Sequence, residues 1–83
     1  MKEQSQTETP VLTYGQKAVG ISFNPSNNNA VDRIKQICAN AIDEMDSLRK
    51  ETTSGEVKRM TSVAITELQT GQMWAVKAIT WKD

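Results

Sequence analysis

From Val31 to Leu48 the apolar residues Val31, Ile34, Cys38, Ala41, Met45 and Leu48 step by three and four without a break. That spacing returns to one side of a 3.6-residue turn and predicts an amphipathic helix over Ala30–Lys50. Ile37 and Ile42 widen the seam, while Arg33, Gln36, Asn40, Asp43 and Asp46 fall largely elsewhere. The polar run Asn24–Asn29 marks its start. Pro25 holds the preceding residue extended, Asn28 or Asn29 supplies the N-cap, and Asp32 in the first turn suits the helix dipole. Arg49 and Lys50 suit the opposite end. A second stripe, Val57, Met60, Ala64, Leu68, Gly71, Ala75 and Ile79, predicts a helix from about Gly55 to Thr80. Between the two, Glu51–Gly55 is polar, and Thr53 with Glu56 three residues on fits a capping box. So short a link between long helices predicts an antiparallel hairpin. Gly71, costly in a helix interior, points to a close approach of backbone or ligand, or to a kink.

Upstream the pattern changes. Val19, Ile21 and Phe23 alternate with Gly20 and Ser22, a period of two that predicts a short extended segment over Ala18–Phe23. It would pair with the apolar run Val11–Tyr14 as a small hairpin, or pack on the helices. Met1–Pro10 is polar and reads as a mobile tail with no signal-peptide core. The expected organisation is therefore a tail and arm over residues 1–17 and a helical hairpin over 18–83, all-α but for the short extended segment.

The block Met73-Trp74-Ala75-Val76 departs from a single stripe. Four consecutive apolar residues point nearly all round a helix, and one neighbouring helix covers one side only. Val63 and Ile65 also sit off the stripe. Other copies of the chain are the expected cover, giving a compact homo-oligomer. Size agrees: 83 residues make a marginal core. Cys38 is the only cysteine and there is no histidine, so neither an internal disulfide nor a zinc site is expected. A lone cysteine fits a reducing cytosol.

Charge narrows the function. Ten basic residues balance ten acidic ones, which argues against a DNA or RNA polymer as partner, and no apolar run approaches a membrane span. Asp43, Glu44 and Asp46 cluster in sequence but have no histidine beside them, and read as a solvated helix face. Cys38 falls on the apolar seam and reads as a structural thiol; Ser26 reads as a capping residue. No catalysis and no cofactor are expected. Phe23-Asn24 ahead of the first helix is different. A ring beside an amide supplies a stacking face and a donor–acceptor edge, which a nucleobase needs, and the helix start favours phosphate. The alternative is that Phe23 is core and Asn24 a turn residue. Lys35 lies one to two turns into that helix. Arg59 and Lys77 on the second helix are anion ligands or surface charges; Lys77, set between Val76 and Ala78, needs a negative partner or a route to water.

The turn Phe23-Asn24-Pro25-Ser26-Asn27, then Val31, Ile34-Lys35 and Ala39, then Met73–Trp81 resemble a phage family of helical hairpins: the anti-CBASS cyclic-nucleotide sponges and the related Thoeris anti-defence proteins. The resemblance covers roughly Val19–Trp81, and Met-Trp-Ala-Val-Lys is its most specific part. It implies a homo-oligomer, commonly a hexamer, that acts in the host bacterial cytoplasm without catalysis. Its ligands would be cyclic dinucleotides held between protomers, and in some members cyclic trinucleotides at separate sites. On this resemblance Phe23 stacks on a base, Asn24 hydrogen-bonds it and Lys35 meets phosphate. Lys77 is the basic residue of the second helix, a one-point contact where an arginine fork would make two. Arg59, Met73 and Trp74 are further lining residues. The alternatives are a sponge for the cyclic ADP-ribose signal of Thoeris, and an adaptor hairpin that binds a protein.

Overall fold

A computed structural model describes residues 11–83, which form α1 (Tyr14–Val19), α2 (Asn29–Glu51) and α3 (Gly55–Ile79). The tail expected over Met1–Pro10 lies outside the described residues. α2 and α3 are the expected antiparallel hairpin. Arg49 near the end of α2 donates to Ser62 near the start of α3 at 3.1 Å, while Val31 and Val76 line one cavity at the other end. Asn28 caps α2, its side chain accepting from the Ala30 N–H at 2.8 Å.

The cap of α3 is displaced by one residue from the expected box. Ser54, not Thr53, is the N-cap, and its Oγ accepts from the Val57 N–H at 3.2 Å. The Thr52 hydroxyl braces the link by accepting from the Ser54 N–H at 3.1 Å. With Ser54 as cap, Glu56 stands too early to reach back, and pairs with Arg59 one turn on.

Upstream of α2 the expected extended segment is replaced by a helix, and the described residues contain no strand. Thr13 and Gln16 form a reciprocal capping box: Thr13 Oγ1 accepts from the Gln16 N–H at 3.1 Å and Gln16 Oε1 from the Thr13 N–H at 2.9 Å. Gly20 ends α1 in the left-handed conformation, φ 63°. The Gly20 N–H then reaches Lys17 O and the Ile21 N–H reaches Gln16 O, the two bonds of a Schellman motif. The alternation of Val19, Ile21 and Phe23 straddles this helix end, so a six-residue period of two was produced by a stop rather than by a pleat. The expected domain boundary after residue 17 falls inside α1.

α1 decides which face of α2 is buried. Val19, Ala39, Ile42 and Ile65 form the core, with Ile21, Cys38, Met45 and Leu68 packed against it. α2 is thus flanked by both α1 and α3, and its buried positions are Val31, Lys35, Ala39, Ile42 and Asp46. The expected seam through Ile34, Ala41 and Leu48 is turned toward its edge, and Ile37 and Leu48 are exposed. On α3, Thr61, Ile65 and Gln72 are buried, whereas Met60, Val63, Met73 and Trp74 are exposed. Gly71 makes no close approach: a Cβ there would meet nothing within 4 Å.

The acidic cluster is a solvated face at Glu44 alone. Asp46 is buried and pairs with Arg49 at 2.8 Å and Lys50 at 3.0 Å. Asp43 is half-buried and accepts from the Gly15 N–H at 2.7 Å. Arg49 also lies over the Tyr14 ring, 5.5 Å from its centroid, so one guanidinium touches all three helices. Cys38 is half-buried, and burial pushes its thiol pKa up, away from the reactive thiolate.

Candidate functional site

The loop from Gly20 to Asn28 is organised by short polar side chains. Asn27 turns the chain with its N–H on Asn24 O at 3.2 Å and a φ of 56°, a conformation asparagine tolerates. Ser26 Oγ donates to Asn24 Oδ1 at 2.6 Å and accepts from the Asn28 N–H at 3.2 Å. The Asn24 amide donates both to Asn28 O at 3.0 Å and to Asp32 Oδ1 at 2.9 Å. An amide has two hydrogens to give, and both are engaged here by the loop itself. Phe23 projects from this braced turn with its side chain 71% exposed.

Lys35 lies beneath Phe23. It is 5% exposed, and its Nζ donates to Gly20 O at 2.9 Å and to Phe23 O. The ammonium is also 5.5 Å from the Phe23 ring centroid. These partners are neutral, and among the described residues no carboxylate pairs with Lys35. An ammonium has three donors, so one is left beyond the two carbonyls. A buried cation ordinarily has a counter-ion, because a lone charge in low dielectric is costly.

The antiparallel hairpin brings the end of α3 to this loop. Val76 and Thr80, one turn apart, face Phe23, Lys35 and Val31 across a cavity of about 400 Å³ whose rim is Asn24, Pro25 and Ser26. That is the size of a small-molecule pocket, apolar in its walls with a few placed polar groups. Pro25, Ser26, Val31, Val76 and Thr80 were not singled out from sequence as lining residues. Their signal was there in part: a hairpin must set the last turn of α3 against the first turn of α2, and Val76 and Thr80 share a face at that end. A second depression of about 300 Å³, lined by Ser26, Asn28, Ile79, Thr80, Trp81 and Lys82, adjoins the first across Ser26 and Thr80.

Of the residues expected to bind, Phe23, Asn24 and Lys35 are brought together. Lys77 is not in this cavity. It is exposed and lies between two indoles, 5.1 Å from the Trp74 ring centroid and 5.8 Å from that of Trp81. Val76 and Ala78 on either side in sequence suggested burial; the ammonium lies instead in a cation–π clamp of Trp74 and Trp81, open to water. Met73 and Trp74 are exposed beside it. Arg59 is on the first turns of α3, about 27 Å from Lys77 at ~1.5 Å per residue, and is held by Glu56.

The open end of the hairpin thus carries an exposed ring, hydroxyls and a buried cation that no carboxylate pairs with among the described residues, an arrangement whose chemistry suits a small anion bearing a flat ring. The particular family is shown by its sequence. The chain matches the model of the Acb2/Tad1 hairpin domain over residues 16–80, and it belongs to that family. Its members are sponges that bind cyclic nucleotide signals. No curated protein and no solved structure matches the chain. Among the described residues no helix is long and apolar enough to cross a membrane.

Proposed function

We propose that this chain is a phage protein that binds cyclic oligonucleotide messengers of bacterial CBASS defence in the host cytoplasm and withholds them, uncleaved, from their effectors. The observation that supports it is the pairing of Lys35 with Phe23. An ammonium buried against neutral carbonyls, with no carboxylate partner among the described residues, raises the affinity of the cavity for phosphate, and Phe23, 71% exposed at its mouth, offers a base a stacking face.

Affinity is within reach of these contacts. Nanomolar binding needs about 12 kcal/mol net. A base on an aromatic gives ~1–3 kcal/mol, and a hydrogen bond to a charged group ~1.5–3 kcal/mol. One protomer falls short. A cyclic dinucleotide carries two bases and two phosphates, and a second protomer facing the exposed Phe23 would double each contact. The exposed apolar residues Ile37, Leu48, Met60 and Val63 support such a homo-oligomer, with a hexamer as the expected state. The cluster of Trp74, Lys77 and Trp81 is a separate exposed cation and is our candidate for a cyclic trinucleotide. Lys77→Glu should then weaken a cyclic triadenylate and spare a cyclic dinucleotide.

A ligand that binds the folded state raises its melting temperature by mass action. A panel of 3′,3′-cyclic dinucleotides, a cyclic triadenylate and a cyclic ADP-ribose isomer is therefore the direct test. A rise with a cyclic dinucleotide, and its intact recovery after heat denaturation, supports the proposal. A rise with the cyclic ADP-ribose isomer alone moves the function to the Thoeris signal. No shift with any sinks the sponge reading in favour of a protein adaptor.

A further inference from the structure

We infer that Asp32, which does not line the cavity, is the positioning residue that holds the Phe23 lip in its ligand-ready shape. This rests on the cyclic-nucleotide reading above. Asp32 stands on the first turn of α2, and its carboxylate accepts from Asn24 Nδ2 at 2.9 Å. The same amide donates to Asn28 O, and its oxygen accepts from Ser26. Asn24 is therefore the hub of the loop, and among the described residues Asp32 is the one charged group bonded to it, fixed on a helix. The chain runs from that hub directly to Phe23, whose carbonyl also holds Lys35.

The alternative role for Asn24 is a direct bond to the base edge. To donate to a base it would have to give up Asp32 or Asn28, because both amide hydrogens are engaged, which leaves only Oδ1, already accepting from Ser26, to accept a further bond. Its role here is to brace the loop, and the brace ends at Asp32. Without the carboxylate the turn samples other shapes, and a ligand must select the competent one from among them. Affinity falls by the fraction of time that shape is present. A carboxylate near a phosphate site would by simple charge repulsion weaken binding, so the two roles predict opposite signs.

The test uses the full chain and 3′,3′-cyclic GMP–AMP as probe. Asp32→Ala should weaken binding roughly three- to tenfold, the scale of one charge-assisted hydrogen bond. Asp32→Asn keeps an acceptor for Asn24 and should recover most of it. The side-chain amide resonances of Asn24, read by ¹⁵N NMR without ligand, should move toward solvent-exposed values in Asp32→Ala and stay near wild type in Asp32→Asn. Unchanged or tighter binding in Asp32→Ala overturns the inference, as does equal weakening in both variants or an unmoved Asn24 signal. If wild type itself fails to bind the probe while the Asn24 signal responds as described, the cyclic-dinucleotide reading has failed and the brace stands as a loop device alone. Should Asp32→Ala not fold, Asp32→Ser, whose shorter side chain does not reach the Asn24 amide, takes its place against Asp32→Asn with the same expected and overturning results.

Discussion

The backbone N–H of Gly15 donates to Oδ1 of Asp43 at 2.7 Å, across 28 positions of sequence. The contact is possible because Gly15 has no side chain: a Cβ there would stand 2.1 Å from the Ala39 carbonyl oxygen. α1 therefore rests directly on the backbone of α2. Five residues further on, the Gly20 carbonyl at the end of α1 receives the Lys35 ammonium. The seat of α1 and the floor of the cavity are thus one mechanical unit.

Gly15→Ala should unseat α1. The obstacle is backbone, which does not yield as a flexible side chain would. A loss of about 1–3 kcal/mol is expected, the scale of overpacking in a tight site. Urea titration measures it, and ligand affinity should fall with it because Gly20 O moves. Unchanged stability would show that α1 is not held at this point.

Phe23 and Lys35 should separate binding from folding. Phe23→Ala removes an exposed ring, so stability should stay near wild type while the stacking contribution, ~1–3 kcal/mol, is lost from binding. Lys35→Met should remove binding and also lower the melting temperature of the free protein, because two carbonyls lose their donor. Isothermal titration beside thermal unfolding reads both. A Phe23→Ala variant that binds as well as wild type removes Phe23 from the site.

Stability should decline at the acid end through Asp46. Hydrogen bonds from Arg49 and then Lys50 hold its carboxyl below the usual carboxylate range. A group whose folded pKa is depressed stabilises the fold above its unfolded pKa, and that contribution is lost as pH falls through the folded value. The window is therefore below about pH 4. Melting temperature followed from pH 6 downward should drop in wild type, and Asp46→Asn should flatten part of that drop. Parallel curves for the two proteins would contradict this role.

The start of α3 can be tested at adjacent residues. Ser54→Ala removes the hydroxyl that accepts from the Val57 N–H and should cost about 0.5–2 kcal/mol, whereas Thr53→Ala should change little. Chemical denaturation of the two variants distinguishes them. The reverse ranking would restore the cap that the Thr53–Glu56 spacing suggests.

The sequence by itself determined the hairpin, because a three-and-four apolar step sustained over several turns fits only a helix, and a short polar link joins two of them only antiparallel. It also narrowed the cap of α2 to Asn28 or Asn29, of which the fold uses Asn28, and it set Phe23 and Lys35 on either side of that helix start. What it left open was every feature that depends on a second neighbour. The seam of α2 was read at Val31, Ile34, Cys38, Ala41, Met45 and Leu48, widened by Ile37 and Ile42; Val31 and Ile42 are buried, but the rest of the buried face is Lys35, Ala39 and Asp46. α1 covers that side; its Thr13–Gln16 capping pattern is legible in the sequence, but its apolar residues are too few to show a period. Burial of Lys35 is decided in the same way. Its stem packs as an apolar chain while two carbonyls, one from the end of α1 and one from the turn, receive its charge. Those carbonyls belong to the backbone, and no side-chain pattern encodes where a folded backbone will aim them. Lys77 shows the converse: apolar neighbours in sequence suggested burial, and the fold left it at the surface between Trp74 and Trp81. Periodicity reports which residues share a helix face, and only tertiary packing decides which face is covered.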